Sequence, residues 1–230
     1  MAELDKQMFG NIKGKFGKAV FRQRHGKNYI AQKPSSYTAP MSEEFLKRTG
    51  KFKLSSKIAA AVNSVSVLKE IWRLNTPKGL STYNYLISKN YTAVNGDSVS
   101  GILQIVPESK VGVRLNTLTL EADKLNLALL PLTSASLIDP NVEKKAQLVS
   151  LIFLSNPNSE DVAKFEVIPV LSLQTGVNLE TALSFEIDFP TAVAEKIAKY
   201  QNKNIYSTLI TFDENGKTVN YAGTFSYNVA

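Results

Sequence analysis

The chain has 230 residues, no cysteine, one histidine and a formal net charge of +7. The missing cysteine excludes disulfides, thiolate metal sites and thiol catalysis, and a lone histidine gives zinc too few ligands. With 43% hydrophobic and 20% charged residues, the composition is that of a folded protein of one large or two small domains. The charge is unevenly placed. Residues 1–57 hold 13 Lys/Arg against 4 Asp/Glu, whereas residues 58–230 hold 14 against 16. A basic segment is thus joined to a near-neutral body, and such segments contact nucleic acid, anionic surfaces or acidic partners.

The first region, residues 1–40, reads as a basic arm and hairpin. It contains Gly10, Lys13, Gly14, Lys15, Gly17 and Lys18, then two β-like runs, 19–23 and 28–32, on either side of Arg24-His25-Gly26-Lys27. Gly26 suits the positive φ of a tight turn, and Pro34 ends the second strand because it cannot donate to a ladder. A phosphate-binding loop needs Gly, four residues, then Gly-Lys-Ser/Thr. Here Gly10 and Gly14 are separated by three residues and Phe16 follows Lys15. Nucleotide hydrolysis is therefore not expected.

Residues 41–90 read as a helical segment. Ser42 is a good N-cap, and Glu43 and Glu44 complement the helix dipole in the first turn. Phe45, Phe52, Ile58, Val62, Val65, Leu68, Ile71 and Trp72 recur mostly at spacings of three and four, with some drift. Gly50 is a candidate break, Trp72 a core residue, and the run 75–79 ends the stretch. A shorter helix capped by Ser81 follows.

Residues 91–230 read as a mainly antiparallel, β-sandwich-like domain. The expected strands are 98–106, 111–120, 128–131, 147–154, 165–173, 182–188, 205–212 and 219–227, with turns at Asn95-Gly96 and at 213–217. Residues 190–201 interrupt them as a short helix with Val193, Ile197 and Tyr200 on one face. The whole is an α+β chain.

Candidate contact residues are Lys13, Lys15, Lys18, Arg22, Arg24, Lys27 and Lys33, interleaved with Phe16, Phe21 and Tyr29. Cations on phosphates with aromatics on bases would serve single-strand binding. In the plainer reading Phe21, Tyr29 and Ile30 pack inward and the charges stay solvated or meet a protein partner. His25 fits a turn or contact residue. Asp213 and Glu214 fit a solvated turn. No spacing of residues meets the demands of catalysis, so no catalytic, metal or cofactor-binding residue and no cofactor is expected. The polar N-terminus lacks the apolar core of a signal peptide, and no apolar run has the length of a membrane span. A soluble protein is expected, and the Asn90-Tyr91-Thr92 sequon carries little weight.

The run Gly-x-Ile-x-Gly-Lys-x-Gly from Gly10, followed by Val20, Arg22, Gly26-Lys27, Ile30 and Lys33-Pro34, resembles an uncharacterised domain family of Bacteroidetes and their phages. Arg48, the Tyr83-Asn84 pair with Asn90, and the hairpin Asp213-Glu214-Asn215-Gly216-Lys217 look similar to later parts of that family. The resemblance covers residues 10–90 most firmly and leaves 95–200 unassigned. It implies no catalytic residues. Its occurrence in phages implies a non-enzymatic structural or assembly protein of a virion, assembled in the bacterial cytoplasm and oligomeric there, docking on other subunits through the basic arm. The alternative is a cytoplasmic nucleic-acid-binding protein whose arm grips phosphates.

Overall fold

The computed structural model describes residues 2–3, 14–24, 27–33, 36, 41–100, 103–133 and 136–229. Gly10, Lys13, His25, Gly26 and Pro34 lie outside them. The chain divides into two compact units, 1–45 and 46–230.

In the first unit, β1 (Ala2–Glu3), β2 (Gly14–Phe16), β3 (Ala19–Arg24) and β4 (Lys27–Gln32) form an antiparallel sheet in the order β1-β4-β3-β2. Gly17, at φ +55°, supplies the left-handed residue of the β2–β3 turn.

Three helices open the second unit. Helix α1 (Glu43–Ser64) begins where the N–H of Phe45 donates to Ser42 Oγ at 3.3 Å, and Gly50 sits inside it without breaking it. A single extended residue, Val65, separates α1 from α2 (Ser66–Asn75). That one-residue offset explains the drift in apolar spacing. α2 stops before Pro77, with Thr76 Oγ1 donating to Trp72 O at 2.7 Å. α3 (Thr82–Asn90) is capped by Ser81, whose Oγ accepts from the N–H of Asn84 at 3.2 Å.

The rest is β-rich. A small hairpin, β5 (Val94–Asn95) and β6 (Ser98–Val99), turns at Gly96, φ +61°. β7 (Leu115–Leu120), β8 (Lys124–Leu129) and β12 (Ser184–Asp188) form a three-stranded sheet in the order β12-β8-β7. The larger sheet runs β10 (Phe165–Leu171), β9 (Lys145–Pro157), β13 (Tyr200–Phe212), β14 (Thr218–Tyr221). In addition, β11 (Thr175–Gly176) pairs with β9 and β15 (Phe225–Val229) with β13. Helix α4 (Thr191–Ala198) leads into β13, with Ile197 and Tyr200 buried. The α+β class with a large antiparallel C-terminal sheet is thus present.

β9 and β13 pair from Tyr200↔Pro157 to Phe212↔Lys145 and are covered on both faces. Val149, Leu151, Phe153, Tyr206 and Ile210 share a core with Leu54, Ile58, Leu68 and Trp72 of the helices. Leu148, Ile152, Leu154, Ile205 and Leu209 share the other core with Leu125, Leu127, Leu129, Phe185 and Ile187 of the smaller sheet. The second unit is therefore layered as helices, large sheet, small sheet. Double coverage is why 148–154 of β9 reads as a near-continuous apolar run and why 205–212 of β13 is buried throughout, Ser207, Thr208 and Thr211 included.

The strand expected at 98–106 is short: β6 holds only Ser98 and Val99. Downstream, side chains take over from a strand partner. Gln104 is paired by Asn90, the C=O of Ile105 accepts from Trp72 Nε1 at 2.9 Å, and the N–H of Ile105 donates to Thr224 Oγ1 at 2.9 Å. The expected strand 219–227 is two strands, because 222–224 turn aside to meet Val111, by a parallel bridge with Ala222, and the 105–106 backbone. Alternation in Lys124-Leu125-Asn126-Leu127-Ala128-Leu129 marks β8, which starts four residues before the expected position.

Candidate interaction site

The β2–β4 sheet carries most of the candidate contact residues, and its register decides which of them meet. Across β3 and β4 the partners are Val20↔Ala31, Phe21↔Ile30, Arg22↔Tyr29 and Arg24↔Lys27; across β2 and β3 they are Gly14↔Phe21, Lys15↔Val20 and Phe16↔Ala19. Directly paired residues lie on the same face, and neighbours along a strand lie on opposite faces. One face therefore holds Lys15, Val20, Arg22, Lys27, Tyr29 and Ala31. The other holds Phe16, Ala19, Phe21, Gln23, Asn28, Ile30 and Gln32, a mixed face in which Asn28 is buried.

Three of the seven candidates, Lys15, Arg22 and Lys27, thus share one face, and the backbone of Arg24 pairs with that of Lys27. The side chains of Lys15, Arg22 and Lys27 are exposed and Tyr29 is half-buried. Lys18 lies in the β2–β3 turn and Lys33 just past β4; both are exposed, and the N–H of Lys33 donates to Lys18 O at 2.7 Å. That bond closes the end of the sheet opposite the Arg24–Lys27 pair. Lys13 lies outside the described residues.

Sequence reasoning set Tyr29 inward with Phe21 and Ile30. The register instead puts Tyr29 on the basic face, opposite Arg22, because residues 29 and 30 cannot share a face of one strand. Phe16 and Phe21 leave the basic residues for the same reason. Phe16 is 82% exposed, on the face of Phe21 and Ile30 and on an edge strand of three residues.

Basic residues of α1 lie in the second unit and have other work. Lys57 Nζ donates to Glu166 Oε2 at 2.8 Å and to Phe165 O at 3.1 Å, tying α1 to the start of edge strand β10. Lys53 and Lys57 stand 5.9 and 5.5 Å from the centroid of the Phe165 ring, and Lys51 stands 4.7 Å from that of Tyr91. The Lys53 and Lys57 contacts cover a strand edge with charge, and a charged edge resists further pairing.

The buried polar groups are bound into the fold. Glu143 is 3% exposed; its carboxylate accepts from Thr211 Oγ1 and, at 3.0 Å, from the N–H of Asp139. Asn90 is 1% exposed and spends its amide on Gln104. Tyr206 donates to Ser100 O at 3.2 Å, and burial pushes its phenol up to about 12. At the surface, the hydrogen bond to Arg73 holds the Glu70 carboxyl below its ordinary value. Among the described residues no three His, Cys, Asp or Glu side chains gather to hold a metal ion, and no helix is long and apolar enough to cross a membrane. Compared with protein-family models and with curated proteins, the chain matches none.

Proposed function

We propose that this chain is a non-enzymatic structural protein of a larger assembly, a phage particle, and that its first unit docks on neighbouring subunits. The observation that carries this reading is Phe16, 82% exposed on the three-residue edge strand β2 and paired with Ala19, on the face that also holds half-buried Phe21 and Ile30. A single sheet of short strands cannot bury both its faces from within, and an exposed aromatic at an edge marks a contact. Among the described residues no strand pairs with the outer side of β2, which leaves main-chain groups there for pairing with another chain. The two-sided cores of the second unit suit a rigid body that carries such a module. The resemblance to a domain family found in phages supplies the kind of assembly.

The test is co-expression of the full chain with the products of its neighbouring genes, then density-gradient sedimentation and mass spectrometry of the particles. The chain should sediment with the particles. Phe16→Ser, which leaves the basic face and both cores untouched, should move it to the light fractions. A chain that stays monomeric and outside the particles, with or without Phe16, overturns the reading.

A further inference from the structure

We propose that Asn95 is a site of self-modification: the backbone nitrogen of Gly96 attacks its side-chain amide, and the turn ages to a mixture of aspartate and isoaspartate. Asn-Gly occurs twice in the chain, at Asn95-Gly96 and Asn215-Gly216. Glycine favours the reaction because no side chain crowds the attacking nitrogen. A Cβ added at Gly96 or Gly216 would meet nothing within 4 Å, and both asparagines are exposed. Sequence and exposure therefore do not separate the two sites. Hydrogen bonding does.

The Asn95 carbonyl belongs to the peptide group whose nitrogen must attack, and it accepts from Ser98 Oγ at 2.8 Å. A donor there stabilises the negative charge that moves onto this oxygen when the nitrogen gives up its proton. The Gly96 N–H has no acceptor among the described residues. At the second turn the reverse holds. The Gly216 N–H donates to Asp213 O at 3.2 Å, and no described side chain donates to the Asn215 carbonyl. Attack also needs the turn to rotate. β5 and β6 pair only Val94↔Val99 and Asn95↔Ser98, apart from the larger sheets, and so short a ladder opens easily. Its base is held, because the Ser100 N–H donates to Ala93 O at 2.8 Å and Val94 is fully buried. Opening is thus confined to the tip.

Water is the only co-reactant. The Gly96 nitrogen loses its proton to solvent base and bonds to Asn95 Cγ. The bond from Cγ to Nδ2 breaks, and Nδ2 takes up a proton and leaves as ammonia. Water then opens the five-membered imide at Cγ, giving aspartate, or at the backbone carbonyl, giving isoaspartate. Isoaspartate routes the chain through an extra carbon, so the Asn95↔Ser98 pair loses its register. Either product adds a carboxylate two residues from the Asp97–Lys164 ion pair. This chemistry is independent of the assembly reading.

The experiment is incubation of the folded full chain at pH 7, 8 and 9, then tryptic digestion and mass spectrometry against a zero-time digest. Cleavage after Lys89, Lys110, Lys203 and Lys217 puts Asn95 in peptide 90–110 and Asn215 in peptide 204–217. Peptide 90–110 should gain one mass unit as two chromatographic products, faster as pH rises. Its rate should be about threefold or more that of 204–217, the effect of a single exposed hydrogen bond. Ser98→Ala should slow it about threefold, and Ser98→Thr, which keeps the hydroxyl, should restore it. Asn95→Gln, whose ring closure needs six members, should abolish the gain and so exclude Asn90 as its source. The proposal is overturned if 90–110 does not outpace 204–217, if the gain persists in Asn95→Gln, if Ser98→Ala reacts as fast as the wild type or faster, or if aspartate is the sole product, which would mean direct hydrolysis.

Discussion

The side-chain amide of Asn90 pairs with both backbone groups of Gln104: Nδ2 donates to the carbonyl at 2.9 Å, and the Gln104 N–H donates to Oδ1 at 2.7 Å. One side chain at the last position of α3 thus does for residue 104 what a neighbouring strand would do. Asn90 is 1% exposed, so the backbone groups it satisfies have poor access to water. Asn90→Ala should leave a donor and an acceptor unpaired at about 1–3 kcal/mol each, for a total loss of about 2–6 kcal/mol. Asn90→Asp keeps the acceptor but loses the donor and adds a buried charge, so it should also destabilise. Urea unfolding followed by tryptophan fluorescence measures both, because Trp72 binds the next residue, Ile105. The same burial means the Asn90-Tyr91-Thr92 sequon should stay unglycosylated in the folded chain.

Thr224 holds the other side of this segment. Its Oγ1 accepts from the N–H of Ile105 at 2.9 Å and from that of Val106 at 3.4 Å. Thr224→Ser keeps the oxygen and should change stability by less than about 1 kcal/mol. Thr224→Val keeps the shape and removes the acceptor, at about 1–3 kcal/mol. Amide hydrogen exchange at Ile105 should accelerate in the Val variant and hardly change in the Ser variant. Equal protection in both would show that the hydroxyl is not what holds the segment.

The pattern-bearing parts of this fold were legible because they obey a period. The caps at Ser42 and Ser81, the turn at Asn95-Gly96 and the helix expected over 190–201, found as Thr191–Ala198 because Tyr200 and Gln201 already belong to β13, follow from local chemistry. Residues 103–106 were not legible. Leu103, Ile105 and Val106 are apolar and buried, which reads as a strand, but their partners are Asn90, Trp72 and Thr224, up to 119 positions away. Composition alone gave the basic character of the first unit. The faces needed the register, and period-two counting from Phe21 to Ile30 could have separated Tyr29 from the apolar set.

At the middle of the large sheet, Ser150 and Ser207 lie directly opposite each other with their hydroxyls 2.7 Å apart. Both are essentially fully buried on the face that meets the three-stranded sheet. Removing one hydroxyl leaves the other without that partner, whereas removing both leaves two methyl groups in an apolar layer. Ser150→Ala or Ser207→Ala alone should cost about 1–2 kcal/mol, and the double variant should cost less than the two singles added. A thermodynamic cycle from denaturant midpoints gives the coupling. Strict additivity would mean the pair contributes nothing as a pair.

Tyr206 faces the helices from the large sheet, 1% exposed, and burial raises its phenol from an ordinary value near 10 to about 12. The neutral phenol is the form the core accepts. A pKa raised on folding means the stability it reflects is complete below pH 10, where both states hold the proton. It is lost as pH rises towards 12, because the unfolded chain releases its proton first. The full effect of a shift of this size is about 3 kcal/mol. Tyr206→Phe removes the titration but also removes the hydroxyl's bond to Ser100 O, at about 1 kcal/mol near neutrality. The wild type should therefore be the more stable protein at pH 8, and the two stability curves should cross at about pH 11. Lysines and other tyrosines titrate in both proteins, so the difference between the curves isolates this one group. Urea unfolding at pH 8, 9, 10 and 11 measures it; a constant difference across that range would mean the phenol is not shifted by its burial.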